Sequence, residues 1–516
     1  MVDKLWFLIP EMILFAGAVI VSIMGLSPVK KVRDAVPMMT AATLAVAFVT
    51  IPFLYTDDRV ARAGLLMPWV GLYIKMVICG IGILLTMLCV GLIDRRYEAL
   101  IQAGRAKFDA MRVNRGEFFV FFLLSLIGVN LVCNANDLIW LFLALELASL
   151  PTYVMVAMSR PSRKAQEAAM KYFFLGAMAT AIFLYGFALL YGATGTLVLT
   201  EMRIAFAEQT AQGGIGFMGL VGMILAVLGV SFKIAAAPMH FYVADVYEGA
   251  ASGVSAFLAF VPKTAGMLAM ILLLGTIGWQ GHLEGGVGLP MPITIALVTI
   301  AALTMTLGNV GALLQKSVKR MLAYSSVAHS GYMLIGIIAG PGMGINAVLF
   351  YLTVYGLMNT AAFAVLAGLE RKGQEIETLD DLAGLRMKHP KMAVAMALSS
   401  GSLLGVPPLL GFIGKLYLFI AGVMTGHIGL VVFAGLNSAI SAWYYLALIG
   451  LPILRKPTPQ SETIVRTPST WPRVAAVLGA VAVVVLPIFT GALLRSTEIA
   501  TMGYEDAERV ELTKAE

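Results

Sequence analysis

Runs of about 20 apolar residues recur from one end of this 516-residue chain to the other, each long enough for a helix to cross a hydrocarbon core near 30 Å. Fourteen such spans are expected, at about 5–25, 35–55, 69–92, 117–134, 137–158, 167–191, 216–247, 250–273, 292–313, 320–339, 345–368, 393–424, 428–454 and 474–494. Charged residues make up only 13% of the chain, roughly half the share of about 25% usual in soluble domains. Mean hydropathy is +0.89. No long polar stretch interrupts the pattern, so a separate soluble domain is not expected. The first run follows Asp3 and Lys4 without a small-residue cleavage pattern, and further spans follow it. It therefore reads as a retained helix and not as a signal peptide. The expected fold is an all-α polytopic membrane protein.

The basic residues test the span count, because short cytoplasmic loops collect Lys and Arg. Odd-numbered loops hold twenty-four of the 36, from Lys30, Lys31 and Arg33 in the first to Arg455, Lys456, Arg466 and Arg473 in the last. The tails and even-numbered loops hold seven: Lys4, Arg59, Arg62, Arg203, Arg495, Arg509 and Lys514. The alternation stays clean along the whole chain, which a wrong count would have scrambled. It makes the odd loops cytoplasmic and puts both termini on the opposite, periplasmic side. The sequence pI near 9.2 thus reflects topology and does not imply nucleic acid.

Five basic residues remain, Lys75, Lys171, Lys233, Lys263 and Lys415, all inside spans and none of them arginine. Arginine stays charged in proteins, whereas a buried lysine can release its proton near neutral pH. A charged lysine at mid-bilayer costs about 3 kcal/mol on insertion scales, so several together need a reason. Lys75, six residues into its span, is expected to snorkel to the edge. Lys171 lies one turn inside the cytoplasmic edge. Lys233, Lys263 and Lys415 lie too deep for that escape and are candidate proton carriers. Glu146 follows Asp137 by nine residues, about 13 Å along a helix, and is the natural partner for a mid-membrane lysine. Glu11 lies in the first span, and Asp245 and Glu248 close the seventh.

Two spans are interrupted. The seventh reads GVSFKIAAAPMHFYVADVYEGA, with Pro238 just after Lys233; the twelfth reads GSLLGVPPLLGFIGKLYLF, with Pro407 and Pro408 just before Lys415. Proline removes a backbone donor and frees carbonyls, and such breaks must face protein or internal water. Matching breaks five spans apart imply two five-helix repeats, spans 4–8 and 9–13, related by inversion because five is odd. The chain divides accordingly into an N-terminal three-helix segment (1–116), a first repeat (117–273), a second repeat (292–454), and a C-terminal loop, helix and tail (455–516). His329, at mid-depth in the tenth span, and His240, after the first break, are candidates to extend the polar line. Cys79, Cys89 and Cys133 all fall in apolar runs and read as packing. No C-x-x-C, Rossmann, P-loop or facing-histidine pattern is present, so redox chemistry is not expected in this chain. An intramembrane enzyme would need a catalytic constellation, and the only candidate is His240 with Asp245 in HFYVAD.

The segments ALELASLPTYVMVA, EAAMKYFFLGA, FKIAAAPMHFYVADVYEGA, VPKTAG, KRMLAYSSVAHSGYMLIG and GVPPLLGFIGKLYLF resemble, in order, the motifs of the antiporter-like membrane subunits of respiratory complex I. The resemblance covers spans 4–13. Three features point to the N-type branch: a lysine at position 415 where M-type relatives have glutamate, an end after fourteen spans without the lateral helix of the L-type, and the opening LWFLIPEMIL. The resemblance implies a proton-translocating subunit of NADH:quinone oxidoreductase in a bacterial inner membrane. Glu146 and Lys233 match the family's paired glutamate and lysine, Lys263 the central lysine, and Lys415 the terminal one. His329 and Lys171 match weaker positions. NAD, FMN, iron–sulfur clusters and quinone are then expected in partner subunits and no cofactor in this chain. The implied partners are a neighbouring antiporter-like subunit, the small K-type subunit, the lateral helix of the L-type subunit and membrane lipids. The related alternative is a subunit of a multisubunit cation/proton antiporter or membrane-bound hydrogenase.

Overall fold

A computed structural model describes residues 5–279 and 288–501. The basic residues Lys4, Arg509 and Lys514 and the end of the tail lie outside the described residues. Among the described residues, eleven helices are long and apolar enough to cross a membrane, and three shorter apolar helices complete the first, seventh and twelfth spans. All fourteen expected spans are therefore present. In chain order they are Ile9–Gly25, Val36–Leu54, Val70–Cys89, Arg115–Val132, Leu138–Ser159, Arg163–Thr194, the pair Phe217–Ser231 and Val243–Gly249, Ser252–Ile277, Met291–Leu313, Val318–Ala339, Met343–Ala367, the pair Pro390–Leu404 and Leu410–Met424, Ile428–Leu454, and Trp471–Thr501. They are numbered here as spans 1 to 14.

Local chemistry explains where the helices begin and end. Asp137, Ser162 and Ser317 are N-caps whose side chains accept from the backbone N–H three residues on, satisfying donors that a helix start leaves orphaned. Spans 6 and 12a (Pro390–Leu404) end at glycines in the left-handed region, Gly195 at φ 73° and Gly405 at φ 93°, a conformation that other residues adopt at a cost.

Spans 8, 10 and 11 form the interior. Every residue of span 8 from Ser252 to Ile277 is buried, and spans 10 and 11 are nearly so. Spans 2, 6, 9, 13 and 14 surround them and turn large apolar residues outward, among them Met38, Phe53, Phe174, Trp443 and Ile488. Such an inside-and-outside apolar helix belongs in lipid.

The two five-helix units follow one plan. Gly128 of span 4 packs against the backbone of Ala148 in span 5, and Gly308 of span 9 packs against that of Ala328 in span 10; no side chain would fit at either glycine. An isolated β-bridge joins Asp137 to Val198, and another joins Ser317 to Thr378. Each of these second members lies 180 residues after the first. The Asp137 bridge lies in even-numbered loops and the Ser317 bridge in odd-numbered ones, so the repeated units are inverted with respect to the membrane.

Several loop elements escaped the sequence reading, among them short helices at Asp57–Ala63 and Arg95–Gln102. A helix at Leu199–Ala211 follows span 6. After span 11 the chain forms β1 (Leu369–Arg371) and β2 (Gln374–Glu375), and β3 (Val465–Arg466) joins them in a small antiparallel sheet ordered β2-β1-β3.

Candidate functional site

Span 5 starts at Asp137, and two and a half turns later it presents Glu146 to the break in span 7. Lys233 lies just past Ser231, where the first half of span 7 stops. Its Nζ stands 3.0 Å from Glu146 Oε1 and 2.8 Å from Ser149 Oγ. Ser149 is three residues after Glu146, so it shares that helix face. Thr180 of span 6 donates to the same carboxylate oxygen at 2.9 Å. The lysine side chain is 2% exposed and the glutamate 15%. Gly266 of span 8 lets this break come close, since a Cβ there would press on Lys233 and Ile234.

The backbone freed by the break is satisfied by protein, as lipid requires. Tyr242 OH donates to the Phe232 carbonyl at 2.9 Å, the Ala237 N–H donates to Thr304 Oγ1 at 2.9 Å, and Ser330 Oγ donates to the Ile234 carbonyl. In span 12 the Gly411 N–H donates to Ser402 Oγ at 3.0 Å. Lys415 Nζ donates to the Leu404 carbonyl at 2.8 Å, which places an ammonium at the negative end of the half-helix Pro390–Leu404.

A polar line runs between the two breaks. Ser330 also donates to the Ser326 carbonyl at 3.3 Å, and Lys263 Nζ donates to that carbonyl from span 8. The Lys263 ammonium lies 5.0 Å from the centre of the Tyr355 ring. That ring is 5.2 Å from the His329 imidazole, which is 5.8 Å from the Tyr332 ring. Lys415 Nζ sits 5.1 Å over the Tyr332 ring. His329 itself is held between hydroxyls, Nδ1 to Tyr351 OH at 2.7 Å and Nε2 to Tyr445 OH at 2.8 Å. The order is therefore Glu146, Lys233, Lys263, His329, Lys415. Among the described residues neither Lys263 nor Lys415 has a carboxylate partner.

Other expected residues fall elsewhere. Lys171 is an edge residue, half-exposed, paired with Glu167 at 2.7 Å and Asp245 at 2.9 Å. Arg320 takes the second Asp245 oxygen at 2.7 Å and reaches Glu248 at 3.1 Å. Asp245 is thus committed to cations, and it makes no catalytic pair with His240, which is buried in the break beside Phe241. Lys75 does not snorkel. It is wholly buried and paired with Glu11 at 2.7 Å, because span 1 supplies the counter-charge that an isolated-helix argument could not see.

Lys319, expected in a cytoplasmic loop, is also fully buried, 3.7 Å from Glu375 and 3.6 Å from Glu377. Arg160 at the end of span 5 pairs with the same two glutamates. Glu375 further accepts from the Ser252 N–H and hydroxyl at the start of span 8, at 2.9 and 2.8 Å. Burial pushes the Glu375 carboxyl up, but Arg160 and Lys319 outweigh it and hold the group below its ordinary range. One carboxylate of the β2 hairpin thereby ties the ends of the helices that carry Glu146, Lys263 and His329. Ser149, Thr180, Ser326 and the tyrosines around His329 were not singled out from sequence; only Ser149, by its spacing from Glu146, offered a signal.

A line of titratable side chains spaced between helix breaks is chemically able to pass protons. The family described as NADH:quinone oxidoreductase/Mrp antiporter, TM, matches residues 135–441. The NADH-quinone oxidoreductase subunit N of Acidithiobacillus ferrooxidans is 36% identical over 487 residues, covering 94% of this chain and 95% of that one. Its counterpart from Trichlorobacter lovleyi is 44% identical over 336 residues, 65% of this chain and 67% of the relative. Among solved structures, a chain of respiratory complex I from Thermus thermophilus with bound aureothin superposes with a TM-score of 0.73 at 31% identity, covering 94% of this chain and 99% of that chain. By sequence and by fold, this chain belongs to the N-type branch of the antiporter-like membrane subunits of NADH:quinone oxidoreductase.

Proposed function

We propose that this chain translocates protons in an NADH:quinone oxidoreductase, along the line Glu146, Lys233, Lys263, His329 and Lys415. The observation that carries the reading is the Glu146–Lys233 pair at the break of span 7, continuous through buried polar and aromatic groups with a second lysine-bearing break. A lysine beside a carboxylate keeps its proton; when the carboxylate moves away, desolvation favours release. Opening the pair thus turns Lys233 from a proton holder into a donor. Lys263 is the next acceptor, and transfer between two lysines is nearly isoenergetic. His329, between two tyrosine hydroxyls, links Lys263 to Lys415, with internal waters bridging the gaps. Moving one charge against about 150 mV takes roughly 3.5 kcal/mol, and the Coulomb attraction within an ion pair of this kind, before desolvation is counted, is of the same order.

Within this reading the two repeats, 117–273 and 292–454, are half-channels, and the segments 1–116 and 455–516 flank them. Lys171 and His240 serve the cytoplasmic approach to the first break. Pro238, Pro407 and Pro408 maintain the breaks. The membrane is a bacterial inner membrane, with both termini periplasmic. Partners are a neighbouring antiporter-like subunit, the small K-type subunit and the lateral helix of the L-type subunit. NAD, FMN, iron–sulfur clusters and quinone are held by other subunits, and this chain contributes no redox centre.

The test is Lys233→Ala in the assembled enzyme, reconstituted in proteoliposomes. Proton translocation is expected to be lost and coupled quinone reduction slowed, with assembly intact. Full pumping stoichiometry in that variant overturns the reading.

A further inference from the structure

A second buried glutamate–lysine pair bridges two helices away from the line. Lys75 Nζ of span 3 lies 2.7 Å from Glu11 Oε1 of span 1, with the two side chains 0% and 5% exposed. The ammonium also donates to the Phe7 carbonyl at 2.6 Å. Asn134 Nδ2 reaches both Glu11 Oε1 and that carbonyl at 3.4 Å. The starts of spans 1 and 3 and the ends of spans 2 and 4 meet here, so all four side chains, with Tyr55 after span 2, lie at one end of the bundle.

The pair leaves polar capacity unused. Lysine carries three donors, and two have partners. Glu11 Oε2, Tyr55 OH and Asn134 Oδ1 are buried without a partner among the described residues. Tyr55 OH and Asn134 Oδ1 converge on Gly71, where a Cβ would strike the hydroxyl and come within 3.4 Å of the amide oxygen. A partnerless buried polar atom costs about 1–3 kcal/mol, and several around one ion pair are the setting in which internal water binds. A purely structural salt bridge needs neither the extra acceptors nor the missing side chain.

We propose that Glu11, Lys75, Tyr55 and Asn134 form a hydrated proton-holding site, separate from the central line, at the end of the bundle where the chain begins. The inference rests on the reading of the chain as a proton conductor. In the step, a hydronium at the site gives its proton to Glu11 Oε2: one O–H bond breaks in the hydronium, one forms on the carboxyl, and water remains. Release is the reverse. Lys75 takes no part in the transfer and keeps its bond to the Phe7 carbonyl. The other titratable groups facing the pair are Tyr55, Cys79 and Cys133, none of which ordinarily ionises near neutral pH.

The experiment compares Glu11→Gln with Lys75→Met as a double variant, Glu11→Asp, and Lys233→Ala, each in the assembled enzyme in proteoliposomes. The double variant strands no charge, so assembly is kept. Its proton translocation is expected to be lost, while Glu11→Asp pumps with a pH profile displaced to lower pH by about 0.4 unit, the difference between the two carboxylic acids. Wild-type stoichiometry and profile in the double variant overturn the site and leave a structural ion pair. If Lys233→Ala also pumps normally, the reading of the whole chain fails instead. Should the double variant not assemble, a high-resolution map of the unaltered enzyme decides. Water density within hydrogen-bond reach of Glu11 Oε2 and Tyr55 OH supports the site, and a dry site overturns it.

Discussion

The Glu146–Lys233 pair can be weighed without any assay of transport. Glu146→Gln strands the Lys233 ammonium, and Lys233→Met strands the Glu146 carboxylate; the double variant strands neither. At 3.0 Å and an effective dielectric near 20, the charges attract by about 5 kcal/mol. Desolvation takes back several kcal/mol. Each single variant also keeps one local bond, Ser149 to the lysine at 2.8 Å or Thr180 to the carboxylate at 2.9 Å, which softens its loss. A net coupling of about 1–3 kcal/mol is therefore expected. The assay is thermal aggregation of the four enzymes in detergent, with midpoints compared at one scan rate because such unfolding is irreversible. The double variant is expected to be at least as stable as the worse single one. Strict additivity of the single effects would show that the two charges do not sense one another, and a switch built on them would be untenable.

Two further outcomes follow from the same geometry. Lys415→Arg retains charge but cannot release a proton, whereas Lys415→Glu can still cycle one, so arginine should damage pumping more than glutamate; equal pumping would reduce the site to packing. At the hairpin, the depressed Glu375 carboxyl gives stability that is complete above the ordinary carboxylate value of about 4.3 and lost as pH falls below it through the lowered one. Hydrogen exchange across Leu369–Leu382 should therefore stay protected down to about pH 4.5, and opening near pH 6 would contradict the clamp.

What the sequence made legible was what depends on depth along a single helix. Apolar length marked the spans, and proline beside lysine marked both breaks. Glu146 was identified as a partner because its distance from the Asp137 cap gives its depth. Depth along one helix says nothing about lateral neighbours, however. Lys75 was expected to reach for the edge because its distance from the span end allowed it, yet Glu11 stands across from it. Lys319 was assigned to a loop by position, yet a hairpin some fifty residues later folds back over it. The tyrosines that hydrogen-bond His329, Tyr351 and Tyr445, belong to spans 11 and 13, and nothing in their local spacing distinguishes them from the remaining aromatic residues of apolar runs.

The repeat itself exposes an asymmetry that bears on the proposed mechanism. An offset of 180 residues carries Gly128 to Gly308 and the Asp137 bridge to the Ser317 bridge. The same offset carries Ser149 to His329 and Glu146 to Ser326. The first half thus faces its break lysine with a carboxylate, and the second offers a neutral serine at the related place. Lys415 is accordingly held by weaker forces: the Leu404 carbonyl at a half-helix terminus, the Ser438 hydroxyl at 3.3 Å and the face of Tyr332. A full ion pair and a set of dipoles differ in how firmly they keep a proton on a buried amine. On the proposed reading, Lys233 therefore needs a conformational event before it releases its proton. Lys415 can release one whenever an acceptor is within reach. Control then resides in the first half and discharge in the second, a division that follows from the single exchange of a carboxylate for a hydroxyl between two copies of one architecture.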